Sequence, residues 1–533
     1  MKIKQFIQNQ LFLVILVFTF AFGVRICYIF QKQGMYGDEA LSVIISSYNA
    51  YSWTSNYDED KIYTGKELKE ITFYESGSIK KALRDVVNLR KDNRDPPQTN
   101  LYYSFLRLWF TGQQTGDVHR IIVQGCLLNL LFFSLSFFLM YRLSKLLFKD
   151  KWLILLSLIV AFLGVGSISI TVFMRPYQLQ EALFILFVYL FVYLWQTIEL
   201  KKSIDSWQNL LLIALIISLV LLSGYFAVFF IIPFGIFLLY KLYKEKQVKN
   251  IYFIISAFVS AIVLTFAIFP DYYKGFITYR GTEAIMKITG ENPMNNVLLS
   301  LGKMVEILRE NLFYTLILML LCIALCYLLW VKRQRLCLIF KNLKNIQPLP
   351  IILFVSLMWM SAIIIVAPEK ILRYIVSAIP LLSLLIPYII SQLNSPKIYV
   401  LSFLFCIGIY GIIAFDKERI NFLYLDAYKE MKFNQEPEIP VIIYNHNYGE
   451  GGFWKNASIL PYVADNQKYE FPYSDESLLE KAMKYERAIL LIETTESIDV
   501  ERSFCNFSLE KFDFGYSEYY TAYQIEKKKI DVQ

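Results

Sequence analysis

The sequence predicts a polytopic α-helical membrane protein of about eleven transmembrane helices, with amphipathic interfacial helices in its first outer loop and a small C-terminal extracytoplasmic α/β domain. Three observations predict it. Of the 533 residues, 56% are hydrophobic and only 18% are charged, where a soluble domain runs at roughly 45–50% and a quarter. The apolar residues are gathered into blocks of about 17 to 25, the length that crosses roughly 30 Å of hydrocarbon as a helix, and the mean hydropathy is +0.43. Only beyond about Asp416 does the composition turn to that of an ordinary soluble domain.

Taken in order, the blocks start near Leu11, Ile121, Trp152, Leu179, Leu210, Phe226, Ile251, Leu312, Ile351, Tyr374 and Tyr399. The first, LFLVILVFTFAFGVRICYIF, follows a short basic start at Lys2 and Lys4. No small-residue cleavage site follows it, so it is expected to remain as a signal anchor. Lysine and arginine resist translocation and collect on the inner side. With the N-terminus inside, the inner turns hold Arg142, Lys145, Lys149 and Lys151; Lys201 and Lys202; Lys241, Lys244, Lys246 and Lys249; and Lys332, Arg333 and Arg335. The short outer turns hold little beyond Arg175, Lys370 and Arg373. This predicts a multi-pass protein of the plasma (inner) membrane, with a membrane domain over residues 1–415, a first outer loop over about 31–118, and an outer domain over 416–533.

The net charge of +8 is largely this inner-face bias. Its basic residues are not interleaved with exposed aromatics as a strand-binding groove requires, so no nucleic-acid partner is expected. Cys27, Cys126, Cys322, Cys326 and Cys406 fall in expected spans, Cys337 lies inside and Cys505 is alone in the tail, so no intrachain disulfide is expected. His119 and His446 are too far apart in sequence for a zinc spacing.

Three regions are not spans. In the first outer loop SIKKALRDVVN places Ile79, Leu83 and Val86 on one helical face, the pattern of a helix lying flat on a membrane. LYYSFLRLWF aligns Leu101, Phe105 and Trp109 in the same way. The second region, PDYYKGFITYRGTEAIMKITGENPMNN, carries Lys274, Arg280 and Lys287. In the tail, IPVIIYN and AILLIET read as buried strands and YYTAYQIE as a late alternating one.

Chemistry is expected where GMYGDEALS follows the first span. Asp38 can cap the next helix and Glu39 complement its dipole. Two adjacent carboxylates beside lipid also ionise less easily than one, which suits a general base. In RDPPQTNLYYSFLRLW, Pro96 and Pro97 disfavour helix at Asp95 and hold it before the interfacial helix. ITVFMRPYQLQEA puts Arg175 at a span end with Pro176 in a helical first turn, and EKILRYIVSAIP puts Lys370, Arg373 and Tyr374 at another. Each cation alone can snorkel to headgroups. Converging beside acids, they suit a lipid-linked phosphate.

In this order GDEA, PP with LYYSFLRLW, VHRIIVQGCLLNLLF, RPYQLQEALFIL, SGYFAVFF and RYIVSAIPLL resemble the GT-C superfamily of polytopic glycosyltransferases over roughly Leu11 to Ile390. The similarity is greatest to bacterial relatives of protein O-mannosyltransferases and of the aminoarabinose (lipid A) transferase. The resemblance implies a large first loop bearing the catalytic acid and a sugar donor on a polyprenyl phosphate. Asp38 then matches the first-loop aspartate, Glu39 its neighbour, Arg175 with Tyr177 the RxY element, and Arg373 with Tyr374 the late RY element. Where many relatives have histidine before the two prolines, this chain has Asp95.

The expected reaction is a single inverting displacement. Asp38 takes the acceptor hydroxyl proton while Arg175 and Arg373, with Lys370 or Arg280, hold the leaving lipid phosphate. The acceptor is a glycan, lipid or protein. A divalent cation, Mg2+ or Mn2+, on Asp38 or Asp95 is an alternative source of positive charge. The rival classes are a lipid-linked glycan flippase or transporter, an outer-face glycan polymerase or ligase, and a non-catalytic scaffold. A transporter should carry charge near the bilayer midplane, whereas charge within the spans is scarce here apart from Arg25, near the outer third of the first.

Overall fold

The structure is a computed structural model. It describes residues 10–48, 51–52, 55–72, 77–96, 98–113, 117–289, 293–326, 347–425, 438–445, 455–457, 459–493, 500–512 and 520–528. Lys2, Lys4, Pro97, Lys332, Arg333, Arg335, Cys337 and His446 lie outside the described residues. The chain divides into two compact units, Met1–Tyr28 with Pro96–Tyr102 and Cys126–Asn421, and Ile29–Asp95 with Tyr103–Gly125 and Phe422–Gln533.

The first unit is helical and has the architecture of a multi-pass membrane protein. Among the described residues seven helices are long and apolar enough to span a bilayer: Gln10–Gln31, Val118–Leu147, Tyr177–Glu199, Tyr225–Lys244, Val248–Ile268, Pro348–Val366 and Pro396–Ile413. The other four expected spans are helical but interrupted or short. Lys151–Phe162 and Val165–Thr171 are bent by 59°, Pro293–Phe313 and Thr315–Cys326 by 93°, and Trp207–Leu221 and Val376–Ser391 are shorter. The local sequence accounts for the starts. The Asp150 carboxylate accepts from the Trp152 N–H and the Ser206 hydroxyl from the Asn209 N–H, while Pro348 and Pro396 open their helices at positions that need no N–H donor.

The first bend falls at Gly164, where a Cβ would stand 2.8 Å from the Asn311 carbonyl. Arg25 is bound there. This fully buried guanidinium donates from Nη2 to the Phe162 carbonyl at 2.9 Å and to the Ser167 hydroxyl at 2.8 Å. Its Nε donates to Thr171 Oγ1 at 3.0 Å and its Nη1 to the Ala21 carbonyl at 3.1 Å, and it lies 3.8 Å over the Phe133 ring. A break in a helix frees carbonyls that lipid cannot satisfy, and Arg25 meets one of them. Further along, Phe184, Phe230 and Trp359 form an aromatic cluster between three spans, with ring centroids 4.1 Å and 5.0 Å from Phe184.

The second unit is built on a six-stranded mixed sheet in the order β1-β3-β2-β4-β6-β5. The strands are β1 Tyr63–Thr64, β2 Val441–Tyr444, β3 Lys468–Glu470, β4 Arg487–Glu493, β5 Phe507–Phe512 and β6 Tyr520–Lys527. The tail strands expected from IPVIIYN, AILLIET and YYTAYQIE are β2, β4 and β6. β2 runs parallel to β3 and β4, and β6 runs antiparallel to β4 and β5. The first loop supplies the edge strand, Tyr63 pairing with Tyr469. Gly65 is needed there because a Cβ would stand 1.9 Å from the Ala464 carbonyl oxygen. Ile442, Leu490 and Ile525 from the sheet pack with Leu478 and Ala482 of the Asp475–Met483 helix.

The amphipathic helix of the first loop forms as Ile79–Lys91, with the Ser78 side chain accepting from the Lys81 N–H. It buries Ala82, Asp85 and Leu89, Asp85 pairing with Arg107 at 2.8 Å. Its outward stripe is Ile79, Leu83 and Val87, which are 59%, 52% and 45% exposed. Val86, expected on that face, is half-buried instead. A Leu83→Cys probe is expected to be quenched by a lipid-phase quencher and Arg84→Cys by an aqueous one. Equal aqueous access at both positions would contradict the membrane-lying face.

Candidate functional site

In the second unit GDEA opens the Gly37–Ser47 helix and places both acids in its first turn. Neighbouring helical side chains point about 100° apart, so adjacent residues do not face one another. Glu39 turns inward and is fully buried. It accepts from the Tyr36 N–H at 2.8 Å and from Lys32 Nζ at 2.9 Å, and Lys32 also donates to the Phe422 carbonyl. Asp38 is half-buried on another face, its carbonyl oxygen accepting from the Ser42 hydroxyl at 2.9 Å. The mutual repulsion expected from adjacency therefore gives way to a Glu39–Lys32 ion pair, and Asp38 carries its own environment.

Asp95 is buried and accepts from the Tyr103 phenol. Asn93 Nδ2 donates to the Asp95 carbonyl at 3.1 Å and shapes the turn. Next to it Arg94 lies 4.4 Å over the Tyr48 ring and donates to the Ile45 carbonyl at 3.4 Å. Burial lowers its pKa against the pull of Tyr48, Asp92 and Asp85. Arg94, which the sequence reading did not single out, thus joins the Asp95 turn to the helix that bears Asp38.

In the first unit Arg175 is buried in the turn between the Val165–Thr171 and Tyr177–Glu199 helices. That turn is fixed from behind. Asn129 Nδ2 donates to the Phe173 carbonyl at 2.6 Å and to Ile170 at 3.4 Å, and Thr171 Oγ1 donates to Gln178 Oε1 at 2.7 Å. Pro176, at φ −66°, leads into the helix, and the Tyr177 ring stacks on Phe173 at 5.9 Å.

Tyr177 opens onto a cleft whose polar lining includes Arg280, Tyr374, Gln180, Gln98, Ser223 and Tyr225. Phe226, Trp359, Ile363 and Ala367 form an apolar wall. Tyr225 donates to the Gln98 carbonyl at 3.1 Å, and Trp359 Nε1 to the Phe226 carbonyl at 3.0 Å. Arg280 pairs with Glu283 at 2.6 Å. Burial by itself would lower the Arg280 pKa, but Glu283, Tyr374 and Tyr177 together carry it above its usual value. The guanidinium is a fixed positive charge between two tyrosines.

The structure therefore brings Tyr177, Tyr374 and Arg280 together around this cleft. Arg175, Arg373 and Lys370 are not among its lining residues. Arg373 lies 5.2 Å over the Tyr374 ring and 3.5 Å from Glu369. Lys370 donates to Asn296 Oδ1 at 2.8 Å, and burial, then Lys287, lowers its pKa. Sequence reasoning did not single out Gln98, Gln180, Ser223, Tyr225 or Trp359. Gln180 and Tyr225 lie inside RPYQLQEA and SGYFAVFF, so the motifs held a signal for them, whereas Trp359 is one apolar residue within an apolar block. Among the described residues no three His, Cys, Asp or Glu side chains come together as a metal site would require.

No protein-family model and no curated protein matches the sequence. Solved structures do. The crystal structure of ArnT from Cupriavidus metallidurans bound to undecaprenyl phosphate matches over 96% of this chain and 97% of its own, at 9% identity and a TM-score of 0.53. The apo structure of the same protein matches over the same shares at 10% identity and a TM-score of 0.49. The motif order had implied a GT-C-like fold, and the fold found is that of ArnT across nearly the whole chain.

Glu39→Gln leaves Lys32 buried without its counter-charge, a change that costs about 3–5 kcal/mol. It is expected to lower the melting temperature of the detergent-purified protein markedly. An unchanged melting temperature would contradict the ion-pair role.

Proposed function

We propose that the protein is an inverting glycosyltransferase that moves a sugar from a polyprenyl-phosphate-linked donor to an acceptor hydroxyl at the extracytoplasmic membrane face. The observation that carries this reading is the two-sided cleft of the helical unit, with Arg280, Tyr177 and Tyr374 facing an apolar wall of Phe226, Trp359 and Ile363. A phosphate on a hydrocarbon chain needs both halves, a cation with hydroxyl donors for the head and apolar side chains for the first isoprenes. The match to an ArnT structure bound to undecaprenyl phosphate supports the same donor class.

In this reading the acceptor oxygen attacks the anomeric carbon and forms the new glycosidic bond. The bond from that carbon to the phosphate oxygen breaks, and its electron pair leaves with the lipid phosphate. Arg280 and the two tyrosines stabilise the charge that grows on the departing oxygen, which is where fixed donors act most strongly. Arg175, Arg373 and Lys370 add to the positive field around that phosphate. Asp38 takes the acceptor proton as general base, while Glu39 sets the helix that carries it. Asp95, whose carboxylate is engaged by Tyr103, supports the loop before the interfacial helix. A Mg2+ or Mn2+ ion on Asp38 or Asp95 is the competing version of the charge balance, and activity that survives chelation excludes it.

Incubation of the purified protein with labelled polyprenyl-phosphate sugars is expected to release free lipid phosphate together with a glycosylated acceptor. Asp38→Asn should lower turnover about 10²- to 10⁴-fold, the range for a general base, with the protein still folded. Arg280→Ala should lower it about 10- to 100-fold with weaker donor binding. Lipid translocation without release would favour a flippase, and normal turnover in Asp38→Asn would remove that residue from the chemistry.

A further inference from the structure

Gln180 stands three residues beyond Tyr177, so the two side chains leave the same helical face and line the same cleft. The Ser377 hydroxyl donates to Gln180 Oε1 at 2.9 Å, its shorter contact, the Tyr177 carbonyl being 3.2 Å away. With the oxygen end engaged, the NH2 end is directed to the opposite side. There it meets the Ser223–Tyr225 wall of the cleft, where a Cβ on Gly224 would stand 2.7 Å from Nε2. Gly224 has φ 168°, extended backbone open to any residue. The missing side chain is what gives the amide its room.

Among the described residues Gln180 Nε2 has no protein acceptor, and the atom is not sealed from solvent although the residue as a whole is buried. A donor held this way at a cleft wall is satisfied by solvent until a ligand displaces that solvent and accepts from it. The remaining end of the amide is donor-only, and it shares its cleft with the Arg280 charge and three tyrosines. A phosphoryl oxygen, which accepts only and carries negative charge, matches the amide donor and the guanidinium together.

We infer that Gln180 is an anion-recognising residue of the cleft, its amide oriented by Ser377 so that Nε2 donates to a phosphoryl oxygen of the lipid donor. The inference rests on the donor reading above and extends it by one contact and by the residue that positions it. Gln180 takes no proton and forms no bond. Its part is to bind the phosphate in the ground state and to hold it as it leaves.

The test uses the full-length protein in nanodiscs and two probes, a polyprenyl monophosphate without sugar and the corresponding neutral polyprenol. Gln180→Glu keeps the shape of the side chain and an acceptor for Ser377 but puts a carboxylate where the donor was. It should weaken the monophosphate at least about 30-fold, Gln180→Ala about tenfold, and Ser377→Ala a few-fold through the freed amide. Binding of the neutral polyprenol should change little in all three variants. Equal monophosphate affinity in wild type and Gln180→Glu would overturn the inference, as would an equal loss for both lipids. A wild-type protein that binds neither lipid would overturn the donor reading and this inference with it.

Discussion

A guanidinium placed inside a membrane-spanning helix must have its N–H groups satisfied by protein, because the surrounding hydrocarbon offers nothing. The way Arg25 meets that demand shapes the functional end of the helical unit. It takes the Phe162 carbonyl at the bend and the Ser167 and Thr171 hydroxyls beyond it. Thr171 passes the order on to Gln178, and Gln178 Nε2 to Glu181 at 2.7 Å. The polar chain thus reaches from the first span across the bend to the helix that begins at Tyr177. The turn carrying Arg175 and Tyr177 is fixed by buried hydrogen bonds at both of its ends, which is the rigidity a binding cleft needs.

The two units solve different problems. The helical unit gathers one lining cation, several hydroxyls and amides, and an apolar wall into one cleft. The second unit fixes an acid-bearing helix by a buried Lys32–Glu39 pair and joins that helix, through Arg94, to the turn that holds Asp95. It also ties the first loop to the tail, since β1 belongs to a sheet whose other strands come from beyond residue 440. The loop that carries Asp38 therefore shares its folding with the C-terminal strands, and Lys481 adds a donation to the Glu59 carbonyl at 2.6 Å.

Much of the fold was legible because hydrocarbon leaves a strong mark on sequence. The described parts of all eleven apolar blocks are helical, and the largely apolar strands of IPVIIYN and AILLIET lie at the centre of the sheet. The bends were not legible. Hydropathy reports how apolar a stretch is and not whether its axis turns at Gly164. β1 was missed because a two-residue strand has no periodicity, and its partner Tyr469 is remote in sequence. Of the residues that line the cleft, Tyr177 and Tyr374 were singled out through motif order and Arg280 through the charge of the region after the seventh span. Glu39 was read as a dipole partner and as half of a catalytic acid pair, and its pairing with Lys32 depends on the chain turning back between the two helices, which no local pattern encodes. Arg175, Arg373 and Lys370 were expected with those lining residues from a shared span-end position, which hydropathy reports without saying which side chains line the cleft.

The central claim is that the cleft beside Tyr177 holds the head and first isoprenes of a polyprenyl phosphate. A polyprenyl phosphate carrying a diazirine on its first isoprene, photolysed on the full-length protein and mapped by mass spectrometry, tests this directly. Adducts are expected on Phe226, Trp359 or Ile363, and an excess of unmodified polyprenyl phosphate should suppress them. Adducts confined to other helices, or insensitive to competitor, would contradict it.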